Sequence, residues 1–228
     1  MTYREIINSV LRRLRETTIA TDWSGDINDS SVVTDYQKLI GELVNDTKRN
    51  CKQYHDWLIL RTSVDVTTAD GTRAYSLNSG QEIKLLDVVN QDTGHQLTQV
   101  SKKYMNSVKY PSSSSGQPMF YAFAGKDSSN NLKIEFDPIP NQVYTVTFDI
   151  TKPQDDLSLA ATELLIPYQP VILGAWARAI AERGEDGGTQ SSLAAQEAIA
   201  ELNKAVILDN SNIEFENDWY VKEHHLNG

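Results

Sequence analysis

An α+β fold is predicted by three features of this sequence. Apolar residues recur at helical spacing near both ends, over 2–17 and 31–57 and again over 166–184 and 189–208. Between them, from Leu58 to Ile150, the period changes to two. Nowhere does the chain gather the side chains that catalysis or metal binding needs. The expected architecture is a helical bundle body built from the N- and C-terminal helices (1–59 and 153–209). An antiparallel β-sandwich or barrel-like region is inserted at 60–152, and an extended tail runs over 210–228.

The first helix opens on a capping-box pattern, Thr2 with Glu5, in which each side chain satisfies the other's free backbone N–H. Ile6, Ile7, Val10, Leu11 and Leu14 give its apolar face, and Arg4, Arg12, Arg13 and Arg15 occupy the rest. A turn-rich loop follows over Thr21–Ser31, where Trp23 is expected to cover an edge of the core. The second helix starts near Ser31 or Thr34 and runs to about Trp57, with Tyr36, Leu39, Ile40, Leu43, Val44 and Thr47 inward. Gly41 inside it costs ~1 kcal/mol against Ala, a cost that a close helix crossing would explain. Near the other end, Pro167 and Pro170 suit a helical first turn. Val171, Ile172, Ala175, Ala179 and Ile180 follow as a stripe, with Gly184 and Gly187-Gly188 as the stop. The last helix is capped by Thr189 or Ser191 and presents Leu193, Ala194, Ala198, Leu202, Ala205 and Val206.

In the middle, Asp70-Gly71 predicts a hairpin joining the Val64/Val66 strand to 72–77. A strand over 83–89 is turned by Asp92-Thr93-Gly94 into 96–100, and Pro111–Pro118 reads as a loop. Strands beginning at Phe120 and Leu132 are joined through Ser128–Asn131. Asp137-Pro138-Ile139-Pro140 breaks the ladder, because proline donates no hydrogen bond. Tyr144, Val146, Phe148 and Ile150 alternate through a last strand.

Composition narrows the function. Acidic residues (31) exceed basic ones (21), for a formal charge of −10. A dedicated duplex-DNA reader needs a basic face, whereas a negative wall lets DNA pass without adhering. The 39% hydrophobic content leaves room for surface that is buried only on assembly. Cys51 is the one cysteine, so no internal disulfide and no cysteine zinc site is expected, in keeping with a reducing compartment. The polar start is no signal peptide, and the apolar run Val171–Ala177 is far short of the ~20 residues of a bilayer span. The expectation is a chain made in a cytosol, with no membrane.

Candidate chemistry dissolves on inspection. Gly125-Lys126 lacks the upstream glycine spacing and the Ser/Thr of a phosphate loop, and reads as a hairpin turn. Cys51 and His55 share a helical face but are two ligands where zinc needs three or four. His224-His225 reads as tail. Asp155-Asp156 and Glu182, Glu185 and Asp186 read as solvated charge rather than an acid–base pair. No catalytic residue, cofactor or metal ligand is assigned. Two features do carry an interaction signal. Arg12, Arg13 and Arg15 form either a solvated helix face or a contact with an acidic neighbour or nucleic acid. Ile213, Phe215, Trp219, Tyr220 and Val221 in the tail either fold back on the core or dock into a partner, and aromatic anchors favour docking.

The stretch Leu132–Pro140, then Tyr144–Phe148, then Leu164–Asp186 (LLIPYQPVILGAWARAIAERGED) resembles the head-to-tail adaptor proteins of tailed bacteriophages. So does the opening Tyr3-Arg4-Glu5-Ile6-Ile7. These include the upper tail tube, connector or gatekeeper-like proteins of podoviruses. The resemblance lies in the order and texture of elements and extends over most of the chain. It implies a structural virion protein rather than an enzyme, forming a homo-oligomeric, usually dodecameric, ring beneath the portal protein at the head–tail junction. It further implies a C-terminal segment that inserts into the portal, downstream tail tube or nozzle partners, and packaged DNA passing through the channel without sequence-specific binding. A rival expectation is a tail-completion or baseplate/fibre-attachment component using the β region.

Overall fold

A computed structural model describes residues 1–29, 31–77, 83–109, 114–184 and 188–223, with the backbone alone at 108, 109 and 213–223. It is α+β, and the chain divides into two compact units, Met1–Leu60 with Gln154–Gly228, and Arg61–Pro153.

The first unit is helical: α1 (Tyr3–Arg13), α2 (Asp35–Tyr54), a 3-10 turn (Leu58–Leu60), and, after the second unit, two further helices over Tyr168–Arg183 and Thr189–Glu223. Thr2 and Glu5 form the capping box at α1, and Thr34 with Gln37 forms another at α2. Helix α1 stops at Arg13, short of the expected Thr17, because Leu14 closes the turn and Arg15 adopts φ 60°. Ile6, Ile7, Val10, Leu11, Ile40, Val44, Val171, Ile172 and Ala175 form the core, with Trp57 buried at one edge and Trp23 packed against another.

Two glycines set how closely these helices approach. A Cβ on Gly41 would lie 2.6 Å from the Tyr3 hydroxyl of α1, and one on Gly174 would lie 2.5 Å from Thr47 Cγ2 of α2. The irregular strap 154–166 is tied to the helices by polar groups. Asn45 bonds both the N–H and the carbonyl of Leu157 (2.9 Å each), and buried Lys48 donates to the carbonyls of Gln154 and Asp155. Arg49 pairs with Asp156. The N-terminus joins the same strap, Tyr3 N–H to Thr162 O at 2.8 Å and Leu164 N–H to Met1 O at 3.0 Å.

The second unit contains β1 (Arg61–Thr67), β2 (Ala74–Leu77), β3 (Lys84–Asn90), β4 (His95–Gln96), β5 (Thr98–Gln99), α3 (Lys102–Lys109), β6 (Ser115–Gly116), β7 (Phe120–Lys126), β8 (Leu132–Asp137), β9 (Ile139–Pro140) and β10 (Thr145–Thr151). The helices after it are therefore α4 (Tyr168–Arg183) and α5 (Thr189–Glu223). One sheet has the order β1-β10-β3-β4, a second β2-β8-β7-β5, and β6 pairs with β9. Val66, Val88, Val146, Phe148 and Ile150 from the first sheet share a core with Leu77, Tyr121, Ile134 and Phe136 from the second, so the two sheets form a sandwich. The Phe148 ring contacts both Tyr121 (5.8 Å) and Phe136 (6.3 Å).

Several expectations are corrected. Asp70-Gly71 does turn the chain, with Gly71 at φ 70°, but β1 and β2 enter different sheets. The reason is that Thr68 N–H bonds Tyr144 O and Gly71 N–H bonds Pro140 O, which carries the segment across from one sheet to the other. The strand expected at 96–100 is two short pieces, and β5 pairs with β7 in parallel, as β6 does with β9. Helix α3 was not anticipated: in its described side chains only Met105 is buried, too little to make a period. The backbone of 210–223 is not extended but continues α5. Residues 111–113 of the expected loop, Glu185, Asp186, Gly187 and His224-His225 lie outside the described residues.

Two outcomes are expected. Gly174→Ala raises helix propensity by ~1 kcal/mol, yet overpacking against Thr47 costs ~1–3 kcal/mol. The denaturant midpoint should therefore fall, and a rise would show that the crossing is slack. The Asp156 carboxyl lies below its ordinary 3.8, chiefly through its bond from Arg49 and then through Lys48. The stability it confers is present above pH 3.8 and is lost as pH falls through its lower, folded value. Melting temperature should drop less on acidification through this window in Asp156→Asn than in the parent protein.

Candidate assembly interface

Helix α5 is apolar on more than one side. Ala194 and Ala198 are buried and Leu202, Ala205 and Val206 pack against the helical core, as their spacing predicts. Around the same helix Leu193 (61%), Ile199 (56%), Ile207 (68%) and Leu208 (69%) are exposed. Gln196, Glu197, Asn203 and Lys204 are exposed among them, so the water-facing side is mixed where a surface helix ordinarily keeps it polar.

A groove of about 430 Å³ opens where α5 passes the 3-10 turn and the start of α4. Trp57, Ile59, Leu164, Leu165, Tyr168 and Leu208 are among the residues lining it. Ile59, Leu165 and Tyr168 are exposed there, each by about half or a little more of its surface (59%, 48% and 50%). Tyr54 holds α5 beside α2 through a 2.9 Å bond from its hydroxyl to Asn203 Oδ1. Exposed apolar side chains thus cluster at one end of the helical unit, where isolated ones would need no explanation.

Sequence reasoning missed this groove. The available signal was Leu164-Leu165-Ile166, in which Leu164 and Ile166 are buried and Leu165 points out. An apolar run before a proline reads as a helix lead-in, and its period of two is too short to notice.

Arg12, Arg13 and Arg15 are exposed at the end of α1. Arg12 donates to Ser9 Oγ at 3.1 Å and Arg13 to the Ser9 carbonyl at 3.3 Å, and both charges suit the negative end of the helix. The side chains of Ile213, Phe215, Trp219, Tyr220 and Val221 lie outside the described residues, although their backbone is helical.

Cys51 and His55 do not form a site. Cys51 is buried, which pushes its thiol up to about 11, while His55 Nε2 lies 2.9 Å from Asp209. Lys126 bonds Asn130 across the β7–β8 turn (2.7 Å), as a hairpin residue would. Asp156 is held by Arg49, and the carbonyl of Asp155 by Lys48. Among the described residues no group of three or more His, Cys, Asp or Glu side chains is placed to hold a metal ion. No helix among them is long and apolar enough to cross a membrane.

A mixed helical and β-sandwich chain whose long last helix leaves Leu193, Ile199, Ile207 and Leu208 exposed has the features of a structural subunit finished by its neighbours. The comparison with known families agrees: residues 1–214 match the model of the SU10 adaptor protein family, and the chain belongs to that family of phage head-to-tail adaptors. It is accordingly a phage structural component, and the family implies contacts with portal and tail components. No curated protein matches the chain.

The exposed ridge of α5 should be dispensable for folding. Replacing Ile199 and Ile207 together by Glu is expected to change unfolding free energy by no more than ~0.5 kcal/mol per site, the usual range for surface positions. A chemical denaturation curve checks this, and a multi-kilocalorie loss would mean that the ridge is packed within the monomer.

Proposed function

We propose that this chain is the adaptor that joins capsid to tail in a tailed phage virion, acting as a homo-oligomeric, dodecameric ring beneath the portal that extends the DNA channel. The observation that carries this reading is α5, which leaves Leu193, Ile199, Ile207 and Leu208 exposed in a chain of the adaptor family. In this reading residues 1–59 and 153–209 form the ring body, with neighbouring copies covering Leu193, Ile199 and Ile207. The β-rich residues 60–152 meet downstream tail tube or nozzle proteins. The segment 210–228 docks on the portal through Ile213, Phe215, Trp219, Tyr220 and Val221. Arg12, Arg13 and Arg15 face either a neighbouring acidic copy or the channel.

The mechanism is assembly. Burial of apolar surface at each subunit contact supplies the driving force at about 25 cal/mol per Å², less the cost of fixing the subunits. A wall of net negative charge keeps DNA from adhering as it moves.

The test is mass by light scattering, with and without isolated portal rings. A ring that appears, or joins a larger complex, with the portal is expected. The chain truncated after Asp209 should retain its cooperative melting but lose portal binding. Unfolding of the truncated chain would instead place the tail on its own core. A full-length monomer that ignores the portal but whose β region binds another tail component would favour the tail-completion or baseplate role.

A further inference from the structure

We propose that Asp209 aims the C-terminal part of α5, and is thereby a positioning residue for docking; this rests on the reading that residues beyond it engage a partner. Asp209 Oδ2 accepts the Leu58 N–H at 3.0 Å and lies 2.9 Å from His55 Nε2. Leu58 opens the 3-10 turn, so its N–H has no partner within that turn. The carboxylate takes that place. The His55 ring is fixed in turn by an edge contact with Trp57 at 4.9 Å. Both partners are mostly buried, with side chains 13% and 16% exposed. The clamp is thus a shielded one, formed across three elements: the end of α2, the 3-10 turn and α5.

Two facts separate this from ordinary packing. The surroundings are apolar, with Trp57, Leu208 and Ile59 lining the same groove. A leucine at 209 would fill such a place, and a buried charge is costly to desolvate unless its bonds are specific. A carboxylate there fixes a direction and register that an apolar contact would leave loose. Secondly, of the α5 side chains described, which end at Asn212, Asp209 makes the last hydrogen bond to the rest of the unit. Tyr54–Asn203 is the tie before it, six residues earlier.

Beyond Asp209 the helical backbone continues to Glu223, a lever of about 21 Å at 1.5 Å per residue. A tilt of about 10° at the clamp moves the end of such a lever by about 4 Å. That displacement is enough to carry anchor side chains out of the pockets of a partner.

The test uses the full chain with cysteines introduced at exposed Glu42 and at Asn217. Buried Cys51, its thiol pushed up to about 11, stays unlabelled. Spin-label distances should be narrowly distributed in the otherwise unaltered protein and broadened in Asp209→Ala, with cooperative melting retained. Asp209→Asn keeps an oxygen for the Leu58 N–H and should restore the narrow distribution.

Binding to isolated portal rings, measured in parallel on the unlabelled proteins, should weaken roughly tenfold in Asp209→Ala if the competent direction falls to about a tenth of the population. It should return in Asp209→Asn. If Asp209→Ala does not fold, His55→Phe, which spares the Leu58 bond, takes its place and should broaden the distances in the same sense. Distances that are broad from the start, or unchanged on substitution, overturn the clamp. Broadened distances with unchanged portal affinity overturn its positioning role. Failure of the unaltered chain to bind the portal sinks the docking reading alone, and the distance measurement still decides the clamp.

Discussion

The helical unit is made of two stretches of chain separated by the whole of residues 61–153, so everything in it depends on α2 and α4 meeting. They meet where Gly174 lies against the Thr47 methyl, so closely that a Cβ at 174 would stand 2.5 Å from it. Local propensity does not produce that contact: glycine weakens α4 by ~1 kcal/mol, and closing a long loop carries an entropic cost, although one that grows only slowly with length. The return comes from what the crossing brings together. Helix α4 buries Val171, Ile172, Leu173, Ala175, Ala177 and Ala179, which lie around much of its circumference. Helices α1 and α2 cover one side and α5 packs on another, while the strap 154–166 is sewn down by Asn45 and Lys48.

Helix α5 repeats the texture of α4 without the second cover. Its alanines allow close approach to α4, as the buried Ala194 and Ala198 show. Its outer leucines and isoleucines have the character of the residues that α4 buries, but they face water. A helix of this kind is stable in one chain because one side is packed, and it is complete only when the other side is packed too. This uncovered side is where the chain has an ordinary core without an ordinary surface.

The helices were legible because capping and period agree. Thr2 with Glu5 and Thr34 with Gln37 announce two starts, and the apolar spacing behind each is unbroken. The alternation in β10 was equally plain, and Val146, Phe148 and Ile150 are fully buried in the sandwich. What failed was pairing. Asp70-Gly71 has the chemistry of a tight hairpin, but turn chemistry fixes only the turn, and carbonyls of Tyr144 and Pro140 decide where the chain goes next. Helix α3 was hidden because one buried methionine makes no pattern. The candidate interface was half legible. The tail aromatics were seen in the sequence, while the groove, assembled from residues around 57, 165 and 208, exists only after folding. Asp209 looked like one acid among many, and nothing in its neighbours along the chain marks it as a partner of Leu58 and His55.

Charge sets a condition on any assembly of this chain. Residues 61–153 carry nine basic and nine acidic side chains, so the whole formal charge of −10 belongs to residues 1–60 and 154–228. Copies that associate through the helical unit must overcome their mutual repulsion, which is long-ranged at low salt and fades beyond ~8 Å at physiological ionic strength. Apolar contact acts at short range and is indifferent to sign, so the exposed ridge of α5 is the kind of surface that can hold like-charged units together. Exposed Arg12, Arg13 and Arg15 at the end of α1 are a local exception to the acidic field, and a subunit contact placed over them would lose repulsion as it gained area.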